Sequence, residues 1–173
     1  MIVLGVDPGT QRTGYAFLEL RGREGQLAPG LPAANVGRIR VLEYGVIRNR
    51  HSDPLPKRLE KIHRELRILM DTYRPECMAL ESIFFAKFAQ SALILGHARG
   101  AIMVAAQSLG IEVAEYAPTL VKKAVVGTGS ASKERVTAMI QSHLALKKPP
   151  TPADAADALA IAFCHLMRSG RSG

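Results

Sequence analysis

Cysteine is scarce in this chain. Only Cys77 and Cys164 occur in 173 residues, and their spacing matches neither a disulfide framework nor a thiolate metal site. Both are read as small buried side chains of a protein kept in a reducing compartment. Long apolar runs are missing too: the longest, residues 91–106, is interrupted by His97 and Arg99 and is too short to span a bilayer. The opening Met1-Ile2-Val3-Leu4-Gly5-Val6-Asp7 lacks the basic segment that begins a secretory leader. A cytoplasmic protein without membrane association is expected. Acidic residues are also short, at 15 Asp+Glu against 23 Lys+Arg, which leaves a net charge of +8 and a pI near 9.9. Charge alone divides evenly between a polyanionic partner, such as nucleic acid, and a basic but otherwise ordinary surface. A hydrophobic share of 47% with 22% charged residues excludes wholesale disorder. The length fits one domain spanning residues 1–173.

The apolar pattern divides that domain into elements. Residues 2–6 form a short apolar run closed by Asp7-Pro8-Gly9-Thr10, a turn sequence, and residues 13–20 then pair back as a hairpin. Residues 21–38 carry glycines, prolines and mixed charge, and are expected to be a flexible insertion. A third strand covers residues 39–47. Leu59, Ile62, Leu66, Leu69 and Met70 recur at helical spacing, predicting a helix over 55–73. A buried strand over 77–84, a long helix over 87–109 and a strand over 111–116 follow. Helices are expected from Pro118, over 133–146 and over 152–167, with a disordered tail at 168–173. A hairpin set followed by alternating helices and strands implies an α/β fold. Its mixed five-stranded sheet, three antiparallel strands and then parallel ones, has helices on both faces.

Four carboxylates stand out. Glu81 lies among residues that favour burial, Met78-Ala79-Leu80-Glu81-Ser82-Ile83-Phe84-Phe85, and an isolated buried carboxylate must be paired, protonated or metal-bound. A strand-end glutamate reaching solvent is the simpler alternative. Asp7 ends the first strand, and by itself it favours a plain turn role, because Asp before Pro-Gly suits a tight turn. Asp154 and Asp157 are three residues apart on one helix and so share a face. Thr151 with Asp154 also fits a capping box, whereas Asp157 interrupts what would otherwise be an apolar stripe. Converged on one point, the four would repel unless cations sat between them. Mg²⁺ and Mn²⁺, which prefer oxygen ligands, are the natural partners. A basic surface around an acidic cage suits phosphodiester hydrolysis.

Five blocks give this pattern an identity: Gly5-Val6-Asp7-Pro8-Gly9-Thr10, Leu80-Glu81-Ser82-Ile83-Phe84, Ala98-Arg99-Gly100, Val125-Val126-Gly127-Thr128-Gly129-Ser130-Ala131-Ser132-Lys133 and Ala153-Asp154-Ala155-Ala156-Asp157-Ala158-Leu159-Ala160. In this order they resemble the RuvC family, bacterial Holliday-junction resolvases of the ribonuclease H-like superfamily. The resemblance covers nearly the whole chain apart from residues 21–38 and the last few. It implies a homodimer that places paired symmetric nicks in a four-way junction and leaves ligatable 5′-phosphate and 3′-hydroxyl ends. It further implies a two-metal site (Mg²⁺, with Mn²⁺ as the alternative) in each subunit, held by Asp7, Glu81, Asp154 and Asp157. The RuvA and RuvB branch-migration proteins are the partners it suggests.

Around the carboxylates, the resemblance makes Phe84 a junction-contacting aromatic, core packing being the alternative reading. Lys122 and Lys133 are the lysines favoured for phosphate contact, against the solvated face where most lysines lie. Residues 127–133 are not a nucleotide-binding loop, because Ser132 stands where such a loop needs glycine before the lysine. Ala92, Gly96 and Gly100 recur every four residues, which suits close helix packing, either within the core or at a dimer interface. Two other functions compete: a ribonuclease H-like nuclease acting on RNA–DNA hybrids, and a non-catalytic DNA-binding module.

Overall fold

The computed structural model describes residues 1–21, 38–82 and 89–169. Strands β1 (Ile2–Asp7), β2 (Arg12–Leu20) and β3 (Ile39–Arg48) form an antiparallel meander. Helix α1 (Leu55–Tyr73) carries the chain to β4 (Cys77–Glu81), which lies parallel to β1. Helix α2 (Ala89–Gln107) leads to β5 (Glu112–Tyr116), parallel to β4. Helices α3 (Pro118–Val126), α4 (Lys133–His143) and α5 (Ala153–Ser169) complete the described chain. The sheet order is β3-β2-β1-β4-β5, the mixed arrangement that the hydrophobic pattern predicts.

Alternation along the strands assigns the two faces. Val3, Ala16, Leu18 and Ala79 face a core shared with α3, α4 and α5, whereas Leu4, Val6, Phe17, Met78 and Leu80 face α1 and α2. β1 is central and buried on both faces, which is why it reads as an unbroken apolar run. In α1 the predicted stripe is the buried one, with Ile62, Leu66 and Met70 inside. Pro56 in its first turn leaves no helical hydrogen bond unmade, and Arg74 closes it in the left-handed region with its N–H bonded to the Met70 carbonyl at 2.8 Å.

Several ends differ from the sequence expectation. β4 ends at Glu81, with residues 83–88 outside the described part. α2 stops at Gln107 because Gly110 turns the chain at φ 71°, so Leu109 is outside the helix. α4 stops at His143 rather than 146: Ala145 adopts φ 49°, and Leu146 folds back to donate to the Gln141 carbonyl. The Thr151–Asp154 capping box does not form, since helical hydrogen bonding begins at the Pro152 carbonyl and places Thr151 before the cap. α5 runs on to Ser169, past the predicted end at 167. Residues 22–37 of the expected insertion lie outside the described part, but its two ends are clasped. Arg21 N–H donates to the Arg38 carbonyl at 3.0 Å, and Arg38 Nε to the Arg21 carbonyl at 2.7 Å.

Candidate active site

Helix α5 lies directly on the sheet because two positions beneath it have no side chain. A Cβ on Gly5 would overlap the Ala158 carbonyl and come within 2.8 Å of the Ala162 Cβ, and a Cβ on Gly14 would strike the Asp154 carbonyl. Gly14 is the register partner of Asp7 across the β1–β2 ladder. The first turn of α5 is therefore seated beside the end of β1. Ala155, Ala156 and Ala158 to Leu166 are all buried, so the helix has no freedom to roll.

Parity brings the carboxylates to the same place. Val6 pairs with Leu80 across the parallel β1–β4 ladder, and both face α1 and α2. The next residues, Asp7 and Glu81, therefore turn to the opposite face, towards α5. Asp154 and Asp157 project from the N-terminal turns of that helix, whose dipole favours negative charge. The buried hydroxyl of Thr13 donates to the Gly9 carbonyl at 2.7 Å and ties down the turn after Asp7. The structure thus gathers all four predicted carboxylates around one end of the sheet.

The electrostatics record that convergence. Burial, followed by the charges of Asp157, Glu81 and Asp154, pushes the Asp7 carboxyl from its ordinary 3.8 up to about 8, with Lys133 opposing. Burial and then Asp157 raise Glu81 as well, with Lys133, Arg99 and Lys122 offsetting. Lys133, the first residue of α4, donates from Nζ to Asp157 Oδ2 at 3.1 Å, and that hydrogen bond is the main cause of its raised pKa. Arg12 Nη1 stands 3.7 Å from Asp154 Oδ2. Two of the carboxylates thus lie against cations, and no three acidic, histidine or cysteine side chains among the described residues cluster tightly enough to cage an ion as they stand. The mutual repulsion matters more than that spacing. The backbone positions are fixed by sheet and helix, while a carboxylate moves its oxygens by a χ rotation. The donor set, all oxygen and strongly anionic, fits a hard divalent cation.

Of the predicted DNA-contacting residues, Lys133 is exposed at the edge of the acidic cluster and Lys122 is half-buried on α3, close enough to oppose the Glu81 charge. Phe84 lies outside the described residues. The backbone around Gly129 to Ser132 leads into α4, whose cap is the Ser132 hydroxyl accepting from Arg135 N–H at 3.3 Å. Sequence reasoning missed the support beneath the site. Arg99, 7% exposed, reaches under the sheet to bond the Glu81 main-chain carbonyl and forms an ion pair with Glu115 at 2.5 Å. Tyr116, the register partner of Glu81, bonds His165 Nδ1 on α5 at 2.9 Å. A cation inside the apolar run 91–106 was a visible signal for the first; nothing local marks the second.

The strand order and the seat of α5 define the class of the molecule, a ribonuclease H-like fold of the junction-resolvase kind. The family model for crossover junction endodeoxyribonuclease RuvC matches residues 3–165. The chain is 40% identical over 173 residues to the RuvC of Desulforamulus reducens, covering 100% of this chain and 98% of that one. A solved Thermus thermophilus RuvC is 34% identical, with a TM-score of 0.83 over 98% of this chain and 95% of that one. A second T. thermophilus RuvC structure, in complex with a Holliday junction substrate, is 31% identical with a TM-score of 0.84 and the same coverage. The chain belongs to the RuvC family of crossover junction endodeoxyribonucleases.

Proposed function

We propose that this protein resolves Holliday junctions in recombination and repair by paired symmetric nicks, leaving 5′-phosphate and 3′-hydroxyl ends. The observation that carries the reading is the convergence of Asp7, Glu81, Asp154 and Asp157 at one end of the sheet in a chain of net charge +8. Asp7 and Glu81 form the rigid side of the cage, since each is held by a strand ladder. Asp154 and Asp157 form the adjustable side, and both must leave their present cationic partners to share a ligand. When bound there, two Mg²⁺ ions (or Mn²⁺) supply an activated water and neutralise charge at the cleaved phosphate. Lys133, released from Asp157, is placed to hold a phosphate of the bound strand, with Lys122 behind it. Phe84 meets the unpaired bases at the junction centre. The work of the chain's own groups is to position the strand and to concentrate negative charge where the cations are needed.

The protein acts as a homodimer in the cytoplasm, one site per subunit, and meets junctions delivered by RuvA and RuvB. Support for the dimer comes from α2, where among the described residues a Cβ on Gly96 or Gly100 meets nothing within 4 Å. These glycines line an apolar groove of about 840 Å³ with Leu59, Ala92 and Leu93. That open face favours the dimer reading of this stripe over core packing. No described helix is long and apolar enough to cross a membrane.

The deciding assay offers the full chain a synthetic mobile four-way junction, a linear duplex and an RNA–DNA hybrid, with and without Mg²⁺ or Mn²⁺. Metal-dependent symmetric nicks in the junction alone are expected. Cutting confined to the hybrid would replace the reading with a ribonuclease, and binding without cutting in any metal would replace it with a passive DNA-binding module.

A further inference from the structure

Arg12 and Arg48 are directly opposed across the β2–β3 ladder, at the same end of the sheet as the carboxylates. Alternation fixes where they point. Gly14 and Ala16 face α5, so Arg12, two residues before Gly14, does too, as its 3.7 Å approach to Asp154 records. Arg48 shares that face as its register partner. Opposed side chains in such a ladder stand about 5 Å apart at Cβ, and like charges so placed repel. Among the described residues no carboxylate lies within ion-pair distance of Arg48, or of the exposed Arg50 beyond it. The positive end of the α5 dipole lies alongside and adds to the repulsion.

The pair is nevertheless held in place. Asn49 donates its N–H to the Gln11 carbonyl at 2.9 Å and its side-chain amide to the Thr10 carbonyl at 2.9 Å and the Arg58 carbonyl at 3.2 Å. Lys61 Nζ bonds the Arg48 carbonyl at 2.6 Å. The segments bearing Arg12 and Arg48 are thus bolted to each other and to the first turns of α1. Two guanidinium groups carried on anchored segments, Arg12 with only the 3.7 Å approach to Asp154 and Arg48 with no carboxylate partner among the described residues, form an arrangement that a phosphate diester relieves, because it accepts the forked donors of both.

We propose that Arg12 and Arg48 form a phosphate clamp that grips the DNA backbone beside the candidate metal site, on the side away from Lys122 and Lys133. This rests on the junction-resolving function proposed above. The clamp holds the strand from one flank and the two lysines from the other, so that the phosphate between them lies over the carboxylates.

Arg48 tests the clamp cleanly because it touches none of the four carboxylates, whereas Arg12 does. Affinity for a four-way junction is measured without divalent metal across a salt series for wild type, Arg48→Ala, Arg48→Lys and Arg40→Ala, with melting temperatures alongside. Arg40 is exposed on the same strand but at its far end, so it controls for loss of one positive charge. Expected are several-fold weaker binding by Arg48→Ala and a salt slope smaller by about 1, with the slope restored in Arg48→Lys and unchanged in Arg40→Ala. Wild-type affinity and slope in Arg48→Ala would overturn the clamp, as would equal losses in Arg40→Ala, which would mark a diffuse charge effect. If Arg48→Ala proves misfolded, an unrestored slope in folded Arg48→Lys would also overturn it. A wild-type protein that binds junctions no better than linear duplex would instead refute the resolvase reading itself.

Discussion

On one face of the sheet, α5 rests against Gly5 and Gly14, and its own Ala158 and Ala162 complete the close contact. On the other, α2 turns Ala92, Gly96 and Gly100 outward to an open groove, beside Leu93 at 65% exposure and with Val104 at 61% further along. Both helices carry small residues four apart, but among the described residues those of α5 alone make close backbone contact. There the small residues fix a distance: they let the backbone that bears Asp154 and Asp157 approach the strand ends that bear Asp7 and Glu81. Among the described residues the α2 stripe meets no facing backbone, which suits the dimer surface proposed above. The carboxylate cluster and the proposed dimer surface thus lie on opposite faces of the sheet, so the two proposals can be tested separately.

The largest expected effect is at the α5 face. Asp7→Asn or Glu81→Gln should lower junction cleavage by at least about a hundredfold, with binding retained or tightened as repulsion of phosphate falls. Equal loss of binding and cleavage in folded protein would remove the metal-ligand role. Asp7 also sets a pH signature. Its folded pKa of about 8 lies above the ordinary 3.8, so between those values the folded state holds a proton that the unfolded state has lost. Stability of the metal-free protein should therefore fall as pH rises from about 4 to about 8 and level off above. Asp7→Asn should flatten that fall, and added Mg²⁺ should offset it in the wild type. Parallel melting-temperature profiles for the two proteins would contradict the assignment.

Gly14→Ala comes next. A methyl group there meets the Asp154 carbonyl, so denaturant titration should register a loss of about 1–3 kcal/mol, and cleavage should fall with it as α5 is pushed off the sheet. The same substitution on the other face sharpens the contrast. Gly96→Ala meets nothing within 4 Å among the described residues and should stabilise the fold by up to about 1 kcal/mol through helix propensity, while weakening the proposed self-association, measured by sedimentation. The smallest effect on folding is expected for Leu93→Glu, within about 0.5 kcal/mol, with a shift from dimer to monomer as its main readout. A destabilised Gly96→Ala, or an unshifted Leu93→Glu, would break the distinction between the faces.

The strands, most of the helices and the four carboxylates that the fold brings to one end of the sheet were legible in the chain. Hydrophobic alternation and 3.6-residue periodicity are local, and a charged residue inside an apolar stretch, as at Glu81 and Asp157, signals itself without any knowledge of its neighbours. Helix ends were less legible, because Gly110 and Ala145 end α2 and α4 through left-handed backbone that pattern alone does not display. Sequence could not tell the inward glycines from the outward ones, nor find that Arg99 and Tyr116 support the Glu81 strand end, nor that Arg12 and Arg48 stand side by side. Each of those depends on ladder register and helix seating, which join residues far apart in the chain. Sequence by itself determined which side chains carry charge and which segments bury apolar surface. Only the tertiary structure decided which charges meet, because a repulsion or an ion pair depends on distance, and distance is set by how the sheet and α5 close on each other.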